Sequence, residues 1–63
     1  MTTLFTRDAD GAWSEHSDHP SDEEALRAGK QLLANDATIK RIRVRGEVFA
    51  RGPHGAVIEV MED

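Results

Sequence analysis

The feature that most constrains the fold is one amphipathic helix pattern set between two stretches of strand-forming residues. Residues 22–34 carry apolar side chains at i, i+3, i+4 and i+7 spacing, which predicts a helix with one apolar stripe. Ser21 and Glu24 fit an S-x-x-E capping box, and acids fill the first turn, where the helix dipole favours negative charge. Asn35 is expected to cap the other end in a left-handed conformation.

The segments around this helix have strand character. Asp8–Gly11 predicts a hairpin turn, His16–Pro20 a polar loop and Gly52–Gly55 a second turn. The predicted strands are residues 2–7, 12–16, 38–51 and 56–61. We therefore expect one small α+β domain over residues 1–63, in the order β-β-α-β-β, with a four-stranded antiparallel sheet and one helix packed on one face.

Several side chains can be assigned to a face from the alternation of residue types. We expect Trp13 to anchor the first hairpin onto the helix, and Ile58 and Val60 to face the core. Gly46 interrupts the long strand, as a bulge or as a break into two strands. These alternatives stay open at this stage: an unbroken strand sends Val48 inward, whereas a change of phase at Gly46 sends Phe49 inward instead.

Size and composition limit the function classes. The chain has 63 residues and no cysteine, which excludes disulfides and thiol chemistry, and a domain this small often gains stability by oligomerising. Its longest apolar run has three residues, far short of a membrane span, so a cytoplasmic protein is the default expectation. No nucleophile, base and orienting group can be assembled, so we expect neither an enzyme nor a cofactor.

The charge is unevenly distributed along the chain. Eight Lys and Arg against twelve Asp and Glu give a net charge of −4, which argues against a general DNA-binding protein. The strand over residues 38–51 nevertheless holds a basic stripe, and the terminal acids Glu62 and Asp63 are expected to fray. The candidate residues for binding nucleic acid or a protein partner are Lys40, Arg41, Arg43, Arg45 and Arg51.

The segment before the helix contains possible metal ligands. His16, Asp18 and His19, with His54 elsewhere in the chain, offer ligand types that suit zinc or nickel, but the fourth ligand of an ordinary structural site is unspecified. The same residues are typical of a solvated loop, and we therefore predict no metal site.

Three hypotheses on function follow from these observations. The first is a small interaction or regulatory protein that acts through protein–protein contacts, most simply as a homodimer. The second is a nucleic-acid-binding regulator that uses the basic strand 40–51, because alternating arginines place guanidinium groups on one sheet face. Aromatic residues for stacking are few, which places this hypothesis second. The third is an acidic mimic of nucleic acid that uses residues 8–24.

Overall fold

A computed structural model describes residues 1–61; the terminal acids Glu62 and Asp63, expected to fray, lie outside the described residues. The α+β class, the one helix and the antiparallel sheet are confirmed. The prediction of four strands is wrong, because the sheet has five strands within residues 1–61. The elements are β1 (Thr2–Asp8), β2 (Trp13–His19), α1 (Asp22–Asn35), β3 (Ile39–Val44), β4 (Glu47–Arg51), a 3-10 turn (Pro53–Gly55) and β5 (Val57–Val60).

The sheet has the strand order β2-β1-β3-β4-β5, and every neighbouring pair is antiparallel. The predicted first turn is confirmed: the Gly11 amide donates to the Asp8 carbonyl, and the Asp8 carboxylate accepts from the Asp10 amide. β2 continues through residues 17–19, where a loop was expected, because Thr2 to Leu4 of β1 pair with them. The Thr3 hydroxyl also donates to the Asp18 carboxylate at 2.7 Å.

The predicted long strand is broken in two at Gly46. Arg45 and Gly46 have φ angles of 51° and 83°, and Val44 pairs directly with Glu47. Positive φ at both central residues is the conformation of a two-residue hairpin turn that matches the strand twist. The turn reverses the inward and outward assignment beyond it, so that Phe49 packs against the core. Val48 lies on the other face, although it is only 4% exposed.

The assignment of β5 side chains to the core was wrong. Ile58 pairs with Ala50, which pairs with Arg41, whereas Val57 is the residue packed against the core. The turn at Gly46 changes which residues of β4 face the helix. Because β5 pairs with β4 in a fixed register, the same change applies to the side chains of β5.

Helix α1 covers one face of the sheet through the apolar stripe that the sequence predicted. The Ser21 hydroxyl accepts a hydrogen bond from the Glu24 amide at 3.3 Å, which confirms the N-cap. Gly29 is buried where the helix crosses the sheet, and a Cβ there would overlap the Ile42 Cδ1 methyl. The fully buried core side chains are Leu4, Ala25, Leu33 and Ile42.

The helix ends differently from the prediction. Asn35 has no left-handed conformation; Asp36 is the C-cap in an extended conformation, and its amide donates to the Leu32 carbonyl at 2.8 Å. The last turn of α1 carries no basic residue of its own. Arg51 of β4 supplies the cation instead: its Nε donates to the Leu33 carbonyl at 2.8 Å. Its guanidinium also donates to the Asp36 carbonyl at 3.2 Å.

The Asp36 carboxylate gives the first testable prediction. Hydrogen bonds from the Thr38 hydroxyl, at 2.6 Å, and the Thr38 amide, at 3.0 Å, hold the pKa of this carboxyl below its usual range. A carboxyl with a lowered folded-state pKa adds stability above its unfolded pKa of roughly 3.9, and that stability is lost as pH falls through the folded-state value. Asp36→Asn keeps the acceptor oxygen but cannot titrate. Between neutral pH and about pH 3, wild type should therefore lose more stability than this variant.

Urea unfolding of both proteins at the two pH values measures this difference. Other carboxylates titrate in both proteins, so their contribution cancels in the comparison. An equal loss of stability in wild type and Asp36→Asn would show that the Thr38 contacts do not couple this carboxyl to folding.

Candidate binding surface on the open face of the sheet

The face of the sheet that α1 does not cover, called here the open face, is organised in two rows that cross all five strands. In each row the side chains change from polar and aromatic at β2 to apolar at β5. The first row is Glu15, Phe5, Arg43, Val48 and Val60. The second row is Trp13, Arg7, Arg41, Ala50 and Ile58. Two surfaces of different chemistry therefore lie side by side on the open face.

The first surface is a cation–aromatic cluster, formed by Phe5, Arg7, Trp13 and Arg43. The guanidinium carbon of Arg43 lies 4.8 Å from the centre of the Phe5 ring and 4.8 Å from that of Trp13. The guanidinium carbon of Arg7 lies 5.8 Å from the Trp13 ring. Cation–π attraction at these distances is worth about 0.5–1 kcal/mol at exposed sites, so it holds the Arg43 head group in place above the sheet.

Trp13 was predicted to pack on the helix, and this is wrong. Its partner in β1 is Arg7, whose side chain points away from α1 because the adjacent residue positions carry the inward side chains. Trp13 is half-buried by the two arginines on the open face instead.

The five basic residues predicted from the sequence do not all lie on one surface. Arg41 and Arg43 lie on the open face. Lys40 is exposed at an irregularity in the β1–β3 register and lines a depression with Arg7 and Arg41. Arg45 lies in the hairpin turn, where its Nε is 3.5 Å from an Asp22 carboxylate oxygen of the same chain. The Arg51 side chain lies at the end of α1, away from the open face.

Three members of the cluster were missed by reasoning from the sequence. Phe5 and Arg7 alternate with Leu4 and Thr6 along β1, a pattern that could have placed them on one face. The sequence does not say whether this face of β1 lies toward the helix or away from it, because that depends on how β1 pairs. The structure pairs β1 with β3 and so places these residues beside Arg41 and Arg43. The cluster lies in a depression of about 820 Å³, and Met1, Thr3, Arg45 and Val48 are among the other residues that line it.

The second surface is an apolar corner, formed by Val48, Ala50, Ile58 and Val60. Ile58 is 44% exposed, and Met61 beyond it is 94% exposed. This corner ends at β5, which is one of the two edge strands of the sheet. An exposed apolar edge strand presents unpaired backbone groups as well as apolar side chains, so it is a ready template for another strand.

His16 and His19 both contact the hydroxyl of Ser17. The Ser17 hydroxyl lies 3.0 Å from His16 Nδ1 and 2.7 Å from His19 Nε2, so it bridges the two rings. Within residues 1–61, no group of three or more His, Asp or Glu side chains is arranged to hold a metal ion. Over the same residues, no helix is long and apolar enough to cross a membrane.

Comparison with protein-family models, curated proteins and solved structures finds no match to this chain.

Proposed function

We propose that this protein is a small interaction protein without catalytic activity, and that it forms a homodimer by pairing β5 with β5 of a second copy. The observation that carries the proposal is the apolar corner of the open face, which runs without interruption to an unpaired strand edge. Pairing at this edge joins the two corners and shields Ile58, 44% of which is exposed in the single chain.

The two edges of the sheet differ in a way that favours β5 as the interface. β2 is a polar edge with exposed Ser14, Glu15 and Asp18 and an irregularity in its register, which are ordinary protections against strand addition. β5 carries Glu59 as its only charged residue, and the other members of the strand are aliphatic. Of the two edges, β5 is therefore the one suited to a second copy.

The charge of Glu59 selects a register for this pairing. A two-fold axis perpendicular to the sheet leaves the open faces of the two copies on the same side. Open-face residues of one copy must therefore lie opposite open-face residues of the other. With Ile58 opposite Ile58, Val60 meets Ala56 and Glu59 meets Val57. A shift that places Glu59 opposite Glu59 sets like charges against each other, which is unfavourable. The register centred on Ile58 therefore satisfies both the apolar and the charged residues.

Light scattering coupled to size exclusion tests the homodimer. Wild type should change from monomer to dimer as its concentration rises, and Ile58→Lys should remain a monomer because a charge at the two-fold axis faces its own copy. Ser14→Lys makes the same change on the other edge and should dimerise like wild type. A folded wild type that stays monomeric into the millimolar range, or an Ile58→Lys protein that dimerises normally, contradicts the proposal.

A further inference from the structure

Beyond self-association, we propose that the cation–aromatic cluster is a binding site for single-stranded nucleic acid. This surface adjoins the apolar corner at Val48, but it lies on β1, β2 and β3 rather than at the β5 edge, so the inference does not depend on the homodimer. Its basis is the placement of two aromatic rings and two guanidinium groups on one half of an open sheet face. The sequence suggested too few aromatic residues for such a role; the register brings Phe5 and Trp13 to the arginines.

The geometry of the cluster suits unpaired bases. Nucleobases released from a duplex stack on aromatic rings and on the flat faces of guanidinium groups. The Arg43 guanidinium lies 4.8 Å from both ring centres, so a base stacked on either ring would lie beside this cation. Phe5 and Trp13 are themselves partly exposed beside it. Stacking on these groups reads no particular base, so the site is expected to have little sequence preference.

The charges around the cluster define where the sugar–phosphate backbone runs. Glu15 and Asp18 lie on the β2 side, so they disfavour a phosphate chain there. Arg41 and Arg43 lie on the β3 side, about 7 Å apart along the strand. Lys40 lines the neighbouring depression with Arg41, and Arg45, which is 3.5 Å from an Asp22 oxygen, lines the depression around the cluster. The bases would therefore lie over β1, with the backbone following β3.

The net charge of −4 sets the expected strength and length of the ligand. Acidic residues elsewhere on the molecule repel a long polyanion, so affinity comes from a short stretch of bases on the cluster. Because phosphates contribute, binding to a single strand should weaken with salt, with a slope of about −0.7 for each phosphate neutralised. Binding by charge alone would show the same salt dependence but no preference for unpaired bases.

Trp13 provides the direct measurement, because it is the only tryptophan of the chain. Its fluorescence should be quenched on titration with oligo-dT or oligo-U of about ten nucleotides at low salt, since a stacked base quenches indole emission. The two oligonucleotides separate a DNA from an RNA preference. A duplex of equal length and heparin are the comparison ligands, because both present dense negative charge without unpaired bases.

Variants then separate stacking from charge, with anisotropy of a labelled oligonucleotide as the readout. Phe5→Leu and Arg43→Ala should each weaken binding roughly tenfold or more, and Arg43→Ala should also lower the salt slope by about 0.7. Arg43→Lys keeps the charge but not the flat face, so it should recover only part of the loss. Arg27→Ala removes one exposed cation from α1 and is the matched control, expected to bind like wild type.

Four outcomes overturn the proposal. The first is that folded wild type shows no quenching at low salt, and the second is that duplex or heparin binds as tightly as the single strands. The third is that Arg27→Ala and Arg43→Ala lose affinity equally, and the fourth is that Phe5→Leu binds normally. Circular dichroism of each variant establishes that it is folded before its affinity is compared. An Ile58→Lys monomer that still binds the oligonucleotide separates this inference from the homodimer.

Discussion

The double variant Gly29→Ala/Ile42→Val is expected to be about as stable as wild type, although each single substitution destabilises the protein. A Cβ on Gly29 overlaps the Ile42 Cδ1 methyl, and both positions are buried. Gly29→Ala gains about 1 kcal/mol of helix propensity but incurs an overpacking cost of about 1–3 kcal/mol. Ile42→Val removes the Cδ1 methyl and costs about 0.5–1.5 kcal/mol alone.

In the double variant the alanine methyl occupies the space that the isoleucine methyl has left. The helix propensity gain remains and the severe overlap is relieved, leaving contacts of 3.2 Å to Leu4 Cδ1 and 3.3 Å to Cγ1 of residue 42 that need only small shifts. The two substitutions should therefore couple favourably by about 1–2 kcal/mol. Urea denaturation of wild type, both single variants and the double variant measures the coupling. Ile39→Val, which is buried in the same strand but supplies none of the atoms nearest to a Cβ on Gly29, should combine with Gly29→Ala additively. Additivity in the Ile42 cycle as well would show that the helix can move away from the sheet.

The parts of the fold that the sequence predicted correctly depend on local chemistry. The Ser21 cap and the Asp8–Gly11 turn each rest on hydrogen bonds within a few residues, so a short segment is sufficient to specify them. Gly29 is a further local signal: a glycine inside a helix costs about 1 kcal/mol relative to alanine, and the close approach of helix and sheet explains its presence.

The parts that could not be predicted depend on how strands pair. Arg45 adopts a positive φ that favours Gly, Asn or Asp, so nothing in Arg45–Gly46 identified a two-residue turn rather than a bulge. That one turn set the phase of β4 and β5 and moved Phe49 inward. The extension of β2 through residues 17–19 is equally non-local, because this polar segment becomes a strand through its pairing with β1.

The candidate site shows the same division. The alternation of Arg41 and Arg43 with apolar residues was visible in the sequence and correctly placed both on one face. The aromatic half of the cluster comes from β1 and β2, more than 25 residues earlier in the chain, and depends on register alone. Arg51 was grouped with the basic stripe because it shares the sequence parity of Arg41 and Arg43, and the turn at Gly46 reverses that parity before β4 begins.

Arg51→Ala is expected to lower the stability of the protein strongly and to leave its open face intact. The guanidinium donates from Nε to the Leu33 carbonyl at 2.8 Å, and from one terminal nitrogen to the Asp36 carbonyl at 3.2 Å. A hydrogen bond that involves a charged group is worth about 1.5–3 kcal/mol, and solvent access to this side chain places the loss near the lower value, about 2 kcal/mol. For a domain of this size such a loss lowers Tm by roughly 10 °C.

The physical reason for this effect is that α1 has no basic residue in its last turn, so Arg51 is the cation that opposes the negative end of the helix dipole. Arg51→Lys should recover less than half of the loss, because one ammonium group cannot reproduce the forked contacts of a guanidinium. Thermal unfolding followed by circular dichroism measures Tm, with exposed Arg27→Ala as the control expected to change it little. Arg43→Ala should instead weaken oligonucleotide binding. Its two cation–π contacts are worth about 0.5–1 kcal/mol each at exposed sites, so its fall in Tm should be smaller than that of Arg51→Ala. If Arg51→Ala instead keeps its Tm and loses oligonucleotide affinity, Arg51 belongs to the basic surface as the sequence first indicated.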